Sequence, residues 1–133
     1  QLAGLAPTAH FPVDWLPENT AVGYTTGGER GGGESSGGEG AALRRNSDLL
    51  PGRGSSAGGG YSTAHDLLRL LNALREKKIP GGPSLGFAIA GGAPGLNAVV
   101  ETDLPGGYDV IVLANLDPPS AERMGRELRA KIR

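Results

Sequence analysis

Three short runs rich in apolar and β-branched residues fill the stretch from Ser84 to Asn115, and they limit what this chain can become. They read Ser84-Leu-Gly-Phe-Ala-Ile-Ala90, Leu96-Asn-Ala-Val-Val-Glu-Thr102 and Tyr108-Asp-Val-Ile-Val-Leu-Ala-Asn115. Gly91-Gly-Ala-Pro-Gly95 and Asp103-Leu-Pro-Gly-Gly107 lie between them. Runs of this kind joined by turn residues predict an antiparallel three-stranded meander over about 84–90, 96–102 and 108–115. The third run has the only consecutive aliphatics long enough for a strand buried on both faces.

Two helices are expected to cover this sheet. Thr63-Ala-His-Asp66 fits a Thr-x-x-acid start, and Leu67, Leu70, Leu71 and Leu74 follow at helical spacing with Leu68 at the margin. Lys77 and Lys78 suit a last turn, and Pro80-Gly-Gly-Pro83 stops it, giving a helix over about 63–78. A second helix over about 118–132 opens at Asp117-Pro-Pro-Ser120, with Asp117 or Ser120 as N-cap. Its apolar face is read as Met124, Leu128 and Ile132, with Ala121 one turn earlier. The fold class is therefore α+β.

The rest of the chain has less to bury. With 24 glycines and 10 prolines among 133 residues, much of it favours irregular structure. Residues 27–60 read as a glycine-rich flexible loop, since Gly27 to Gly40 contains no apolar residue to offset its ordering entropy. Residues 1–26 read as an irregular docking segment, with Phe11, Val13, Trp15 and Leu16 clustered and Trp15 as packing anchor. The α+β core is assigned to residues 61–133.

A net charge of -1 offers no electrostatic case for nucleic acid, and no apolar run approaches the roughly 18 residues of a membrane helix. Neither is expected as a partner. The basic run from Arg123 to Arg133 reads as the solvated face of a helix. Without cysteine there is no disulfide or thiolate metal site, and His10 and His65 sit in contexts too different to share a metal. No cofactor is expected. No signal peptide is visible, and the chain begins with Gln1 rather than Met, as a processed product or an excised segment would.

Two motifs invite a chemical reading and fail it. Gly54-Ser-Ser-Ala-Gly58 matches G-x-S-x-G, yet a nucleophile elbow needs a strand leading into it. Here Leu50-Pro-Gly-Arg53 precedes it, a loop, so Ser56 is not expected to be a nucleophile. Gly52-Arg-Gly54-Ser-Ser-Ala57 echoes a dinucleotide fingerprint without its strand or βαβ frame.

Ala57-Gly-Gly-Gly-Tyr-Ser-Thr-Ala-His-Asp-Leu-Leu68, Gly91-Gly-Ala-Pro-Gly95, Val22-Gly-Tyr-Thr25 and Val110 to Asn115 occur here in one order. Together they resemble the C-terminal part of the serine β-lactamase-like family, which includes class C β-lactamases, esterases and D-amino-acid peptidases. The resemblance implies a partial β-lactamase-like fold, a parent that hydrolyses amides or esters through an acyl-enzyme, and a periplasmic or secreted setting. It also implies that Ile89-Ala90-Gly91 occupies the family's third motif, Lys-Thr-Gly or His-x-Gly, with the Gly92 N–H as an oxyanion donor. Ile89, Ala90, Gly91 and Gly92 are thus the substrate-side candidates. The family nucleophile is the serine of S-x-x-K, assisted by Tyr-x-Asn. No serine here has lysine three residues later, and none of Tyr24, Tyr61 and Tyr108 has asparagine two residues later. No catalytic residue is assigned. Only Ile79 to Pro83 joins helix to strand, where the family uses a longer connection, so the chain resembles a trimmed C-terminal half. The sheet then keeps an open edge, expected to pair with a missing N-terminal segment or a second copy.

Overall fold

The computed structural model describes residues 5, 8–27 and 42–132. Of the tract read as a flexible glycine-rich loop, 27–60, residues 28–41 lie outside the described residues. The elements in chain order are β1 (Tyr24–Thr25), β2 (Arg44–Arg45), α1 (Ala64–Arg75), β3 (Ala88–Ala93), β4 (Leu96–Leu104), β5 (Tyr108–Ala114) and α2 (Ser120–Arg129). β3, β4 and β5 form the expected antiparallel meander in that order, and β1 pairs with β2 in a separate two-stranded ladder. The α+β architecture is as the residue pattern predicts.

The first strand is shifted. It starts at Ala88 rather than near Ser84 and runs through Gly91 and Gly92, which read as turn residues in the sequence. Only Pro94 and Gly95 separate Ala93 from its partner Leu96, and Gly95 takes φ +75°, a conformation that glycine adopts without strain. Backbone pairing to β4 therefore holds two glycines in strand conformation despite their low β-propensity.

β5 is an edge strand among the described residues. Val110 is buried, while Tyr108 and Leu113 stay exposed, so the strand is not buried on both faces as its sequence suggests.

α1 follows its sequence closely. The Thr63 hydroxyl accepts from the Asp66 amide at 3.1 Å, and Leu71 and Ala73 are buried while Leu68 is exposed. Asp66 is itself buried; its carboxylate accepts from the Thr8 hydroxyl and from Arg69. At the other end, Arg75 grips Asp109 of β5 at 2.8 Å.

α2 departs from its sequence in two ways. Its N-cap position is Pro119, and no side chain of the local segment caps it. Pro119 lacks the amide hydrogen that an Asp117 cap would receive, and the Ser120 amide donates instead to the Asp117 backbone carbonyl at 3.2 Å, which leaves the Asp117 carboxylate to other partners. The second departure is its packing face. Ala121 and Gly125 are the residues pressed on the sheet, and a methyl group at Gly125 would lie 2.9 Å from Val99 Cγ1. Small residues bring the helix axis close to β4, so Met124 (52% exposed) and Leu128 (40%) are left at the flank. Arg129 reaches Glu101 of β4 at 3.1 Å, while Arg123, Arg126 and Lys131 are exposed.

The N-terminal segment docks through scattered contacts. Ala9 bridges Tyr61, Pro12 bridges Arg53, and the Phe11 ring lies 6.1 Å from both Trp15 and Tyr61. Trp15 is 70% exposed, so Phe11, between two rings, is the anchor rather than Trp15. Arg44–Arg45, read as loop, pairs with Tyr24–Thr25 in β1.

Candidate functional site

The four candidate residues lie on β3, on the outer side of the sheet opposite β5. The bond from the Thr102 amide to the Phe87 carbonyl (3.0 Å) sets the phase of this ladder. In an antiparallel pair, alternate residues turn their backbone groups toward the partner. Ile89, Gly91 and Ala93 therefore turn theirs to β4, and Ala88, Ala90 and Gly92 turn theirs to the open edge. The Gly92 N–H thus points outward, the orientation an oxyanion donor requires. The Ile89 side chain is 59% exposed on the face opposite α2 and offers neither charge nor hydrogen bond.

The end of β3 is held from several directions. A Cβ on Gly92 would run into Pro118 Cγ, so Pro118 seats directly on the glycine. Asn97, buried on β4, donates to the Gly91 carbonyl at 3.0 Å and accepts from the Ala121 amide at 2.6 Å. That second bond satisfies one of the unpaired donors in the first turn of α2, the role its own sequence leaves empty. The Asp117 carboxylate accepts from the Gly95 amide at 2.7 Å and from the Thr26 amide at 2.8 Å. It thereby ties the β3–β4 turn to β1 and to the start of α2.

Burial alone would raise the pKa of Asp117. Hydrogen bonds from the Thr25 hydroxyl, the Thr26 and Gly95 amides and the Thr26 hydroxyl outweigh it and hold the carboxyl below its ordinary 3.8. Beneath the turn, buried Asn46 donates to the Pro94 carbonyl at 2.9 Å, and its own amide donates to the Gly23 carbonyl.

These contacts make a rigid, backbone-lined corner without a nucleophile. Ser55 and Ser56 are exposed, and Ser55 and Gly58 exchange backbone hydrogen bonds in a tight turn far from any strand-to-helix elbow. His65 lies at the rim of a shallow hollow lined by Ala64, Leu68, Asp109 and Ile111, against β5 rather than β3. No group of three potential ligands is assembled for a metal among the described residues.

The sequence pointed to Ile89 through Gly92 and missed Asp117, Asn97 and Asn46. Each of these acts across at least 22 positions of chain on its main partner, which local patterns do not reveal. The one available signal was the pair of prolines after Asp117, which removes its local donors.

Neither the protein-family models nor the curated proteins gave a match to this chain. Among solved structures, it is similar to the penicillin-binding protein from Bacillus halodurans, with a TM-score of 0.74 and 22% identity. The match covers 98% of this chain and 46% of that one, so the chain spans less than half the length of its structural neighbour. At this identity the likeness defines the fold, an α+β arrangement that fits the C-terminal portion of a β-lactamase-like domain.

Proposed function

We propose that this chain is the sheet-bearing C-terminal portion of a β-lactamase-like serine hydrolase, and that by itself it is inert. Its part in the chemistry is the Gly92 N–H, presented at the outer edge of β3 as one donor to an oxyanion. The observation that supports this reading is that outward amide, on the residue the resemblance assigns to the third motif and braced by Pro118 and Asn97. Substrate-side positions are Ile89, Ala90, Gly91 and Gly92. The serine and lysine of S-x-x-K and the Tyr-x-Asn tyrosine belong to a segment outside this sequence.

A second reading has its own support. Isoleucine replaces the Lys or His of the third motif, which fits a binding or assembly module that keeps the sheet and has lost the reaction.

Intact-mass measurement after exposure to benzylpenicillin or a fluorophosphonate tests the claim of inertness. The expected result is no adduct on the folded chain alone. An adduct on Ser56 or any other serine of this chain would overturn it.

A further inference from the structure

We propose that Asn97 positions the oxyanion donor: its side-chain amide fixes the Gly91–Gly92 peptide and passes the polarity of the α2 N-terminus to the Gly92 N–H. This role rests on the hydrolase reading above and adds to it the residue that sets the aim and strength of the donor.

The Gly91 carbonyl and the Gly92 N–H are opposite ends of one planar peptide unit. The carbonyl turns to β4 and the N–H to the open edge, so whatever holds one end aims the other. Both glycines are exposed and have no side chain through which packing could fix that plane. Pro118 covers Gly92 on the α2 face but has no donor to offer. Asn97 Nδ2 does: it donates to the Gly91 carbonyl at 3.0 Å and lies 3.1 Å from the point a Gly92 Cβ would occupy.

Asn97 is itself held at both ends. It is 3% exposed, and its Oδ1 accepts from the Ala121 amide at 2.6 Å. These partners also fix which way the side chain is flipped, since an N–H can meet only Oδ1 and a carbonyl only Nδ2.

The dipoles then run head to tail. The first turn of α2 presents unpaired N–H groups and the positive end of the helix. The Ala121 N–H meets Asn97 Oδ1, Asn97 Nδ2 meets the Gly91 oxygen, and the chain ends on the Gly92 N–H at the open edge. Each bond in such a chain strengthens the next by about 10–30%. A developing oxyanion would therefore meet a donor stronger than an isolated strand amide, and one fixed before the reaction begins.

The test uses this chain joined to the segment encoded ahead of Gln1, with benzylpenicillin as the acylating probe. Maximal acylation rate and half-saturating concentration are measured separately. Asn97→Asp keeps an acceptor for Ala121 and removes the donor to Gly91, while Asn97→Leu removes both without adding charge. Each is expected to lower the maximal rate by about tenfold or more and to move the half-saturating concentration by less than about twofold, because the donor acts on charge that develops in the transition state. In proton–nitrogen correlation spectra of this chain alone, the Gly92 amide proton should move upfield in both variants. An unchanged rate, a loss confined to Asn97→Asp, or a loss carried by the half-saturating concentration would overturn the proposal. If neither variant folds, scalar coupling across the hydrogen bond from Asn97 Nδ2 to the Gly91 carbonyl carbon decides on the unaltered chain, and its absence overturns the proposal. An unaltered joined protein that takes no acyl group would overturn the hydrolase reading, whereas acylation with an unmoved Gly92 resonance in both variants would overturn the role of Asn97 alone.

Discussion

Replacing Asp117 with alanine is expected to lower the unfolding free energy by about 3 kcal/mol, because it strands amide donors that a charged acceptor now satisfies. The Thr26 and Gly95 amides would lose bonds of 2.8 and 2.7 Å. β1, the β3–β4 turn and the start of α2 would lose their common tie. Urea titration gives the number, and Asp117→Asn should recover about half of it by keeping a neutral acceptor. The same carboxylate predicts an acid-sensitive stability. Its folded pKa lies below the ordinary 3.8, so its contribution is full above that value and disappears as pH falls through the lower folded one. Stability of the unaltered chain should therefore fall more steeply below about pH 4 than that of Asp117→Ala. Parallel curves, or a loss under about 1 kcal/mol, would show that Asp117 is not the tie described.

The second large effect is at Gly23. A methyl group there would sit 2.5 Å from the Gly95 carbonyl oxygen and still closer to Asn46 Nδ2. The Asn46 side chain is buried and pinned to the Pro94 carbonyl, and the other neighbour is backbone in a tight turn. Neither can yield cheaply, so Gly23→Ala should cost about 3 kcal/mol. Gly91→Ala is the matched control: an added Cβ meets nothing within 4 Å, and the cost should stay within about 0.5 kcal/mol. Equal effects at the two glycines would mean that the crowding at Gly23 is relieved by a shift in the turn.

The meander and α1 were legible because their signals are local. Alternating apolar runs, glycine turns and a threonine cap all act within a few residues, and the structure keeps them. The end of β3 was not legible, since Gly91 and Gly92 take strand conformation from β4 rather than from themselves. The sheet-facing side of α2 was misread for a related reason. Hydrophobicity selected Met124, Leu128 and Ile132 along with Ala121; of these Ala121 is buried, and Gly125, close to Val99, is the residue that pattern left out. Ile89 to Gly92 follow one another on β3, and the bracing around them was not legible. The bonds from Asp117, Asn97 and Asn46 join segments far apart in the chain, and nothing near each residue announces its partner.

On the proposed reading, this chain supplies a sheet and one oxyanion donor to chemistry whose nucleophile lies elsewhere. The most direct measurement is peptide-mapped mass spectrometry after benzylpenicillin treatment of this chain joined to the segment encoded ahead of Gln1. The expected result is an acyl adduct on a serine of an S-x-x-K motif in that added segment, with none on this chain. An adduct on a serine of this chain, or a joined protein without an S-x-x-K and without an adduct, would contradict it.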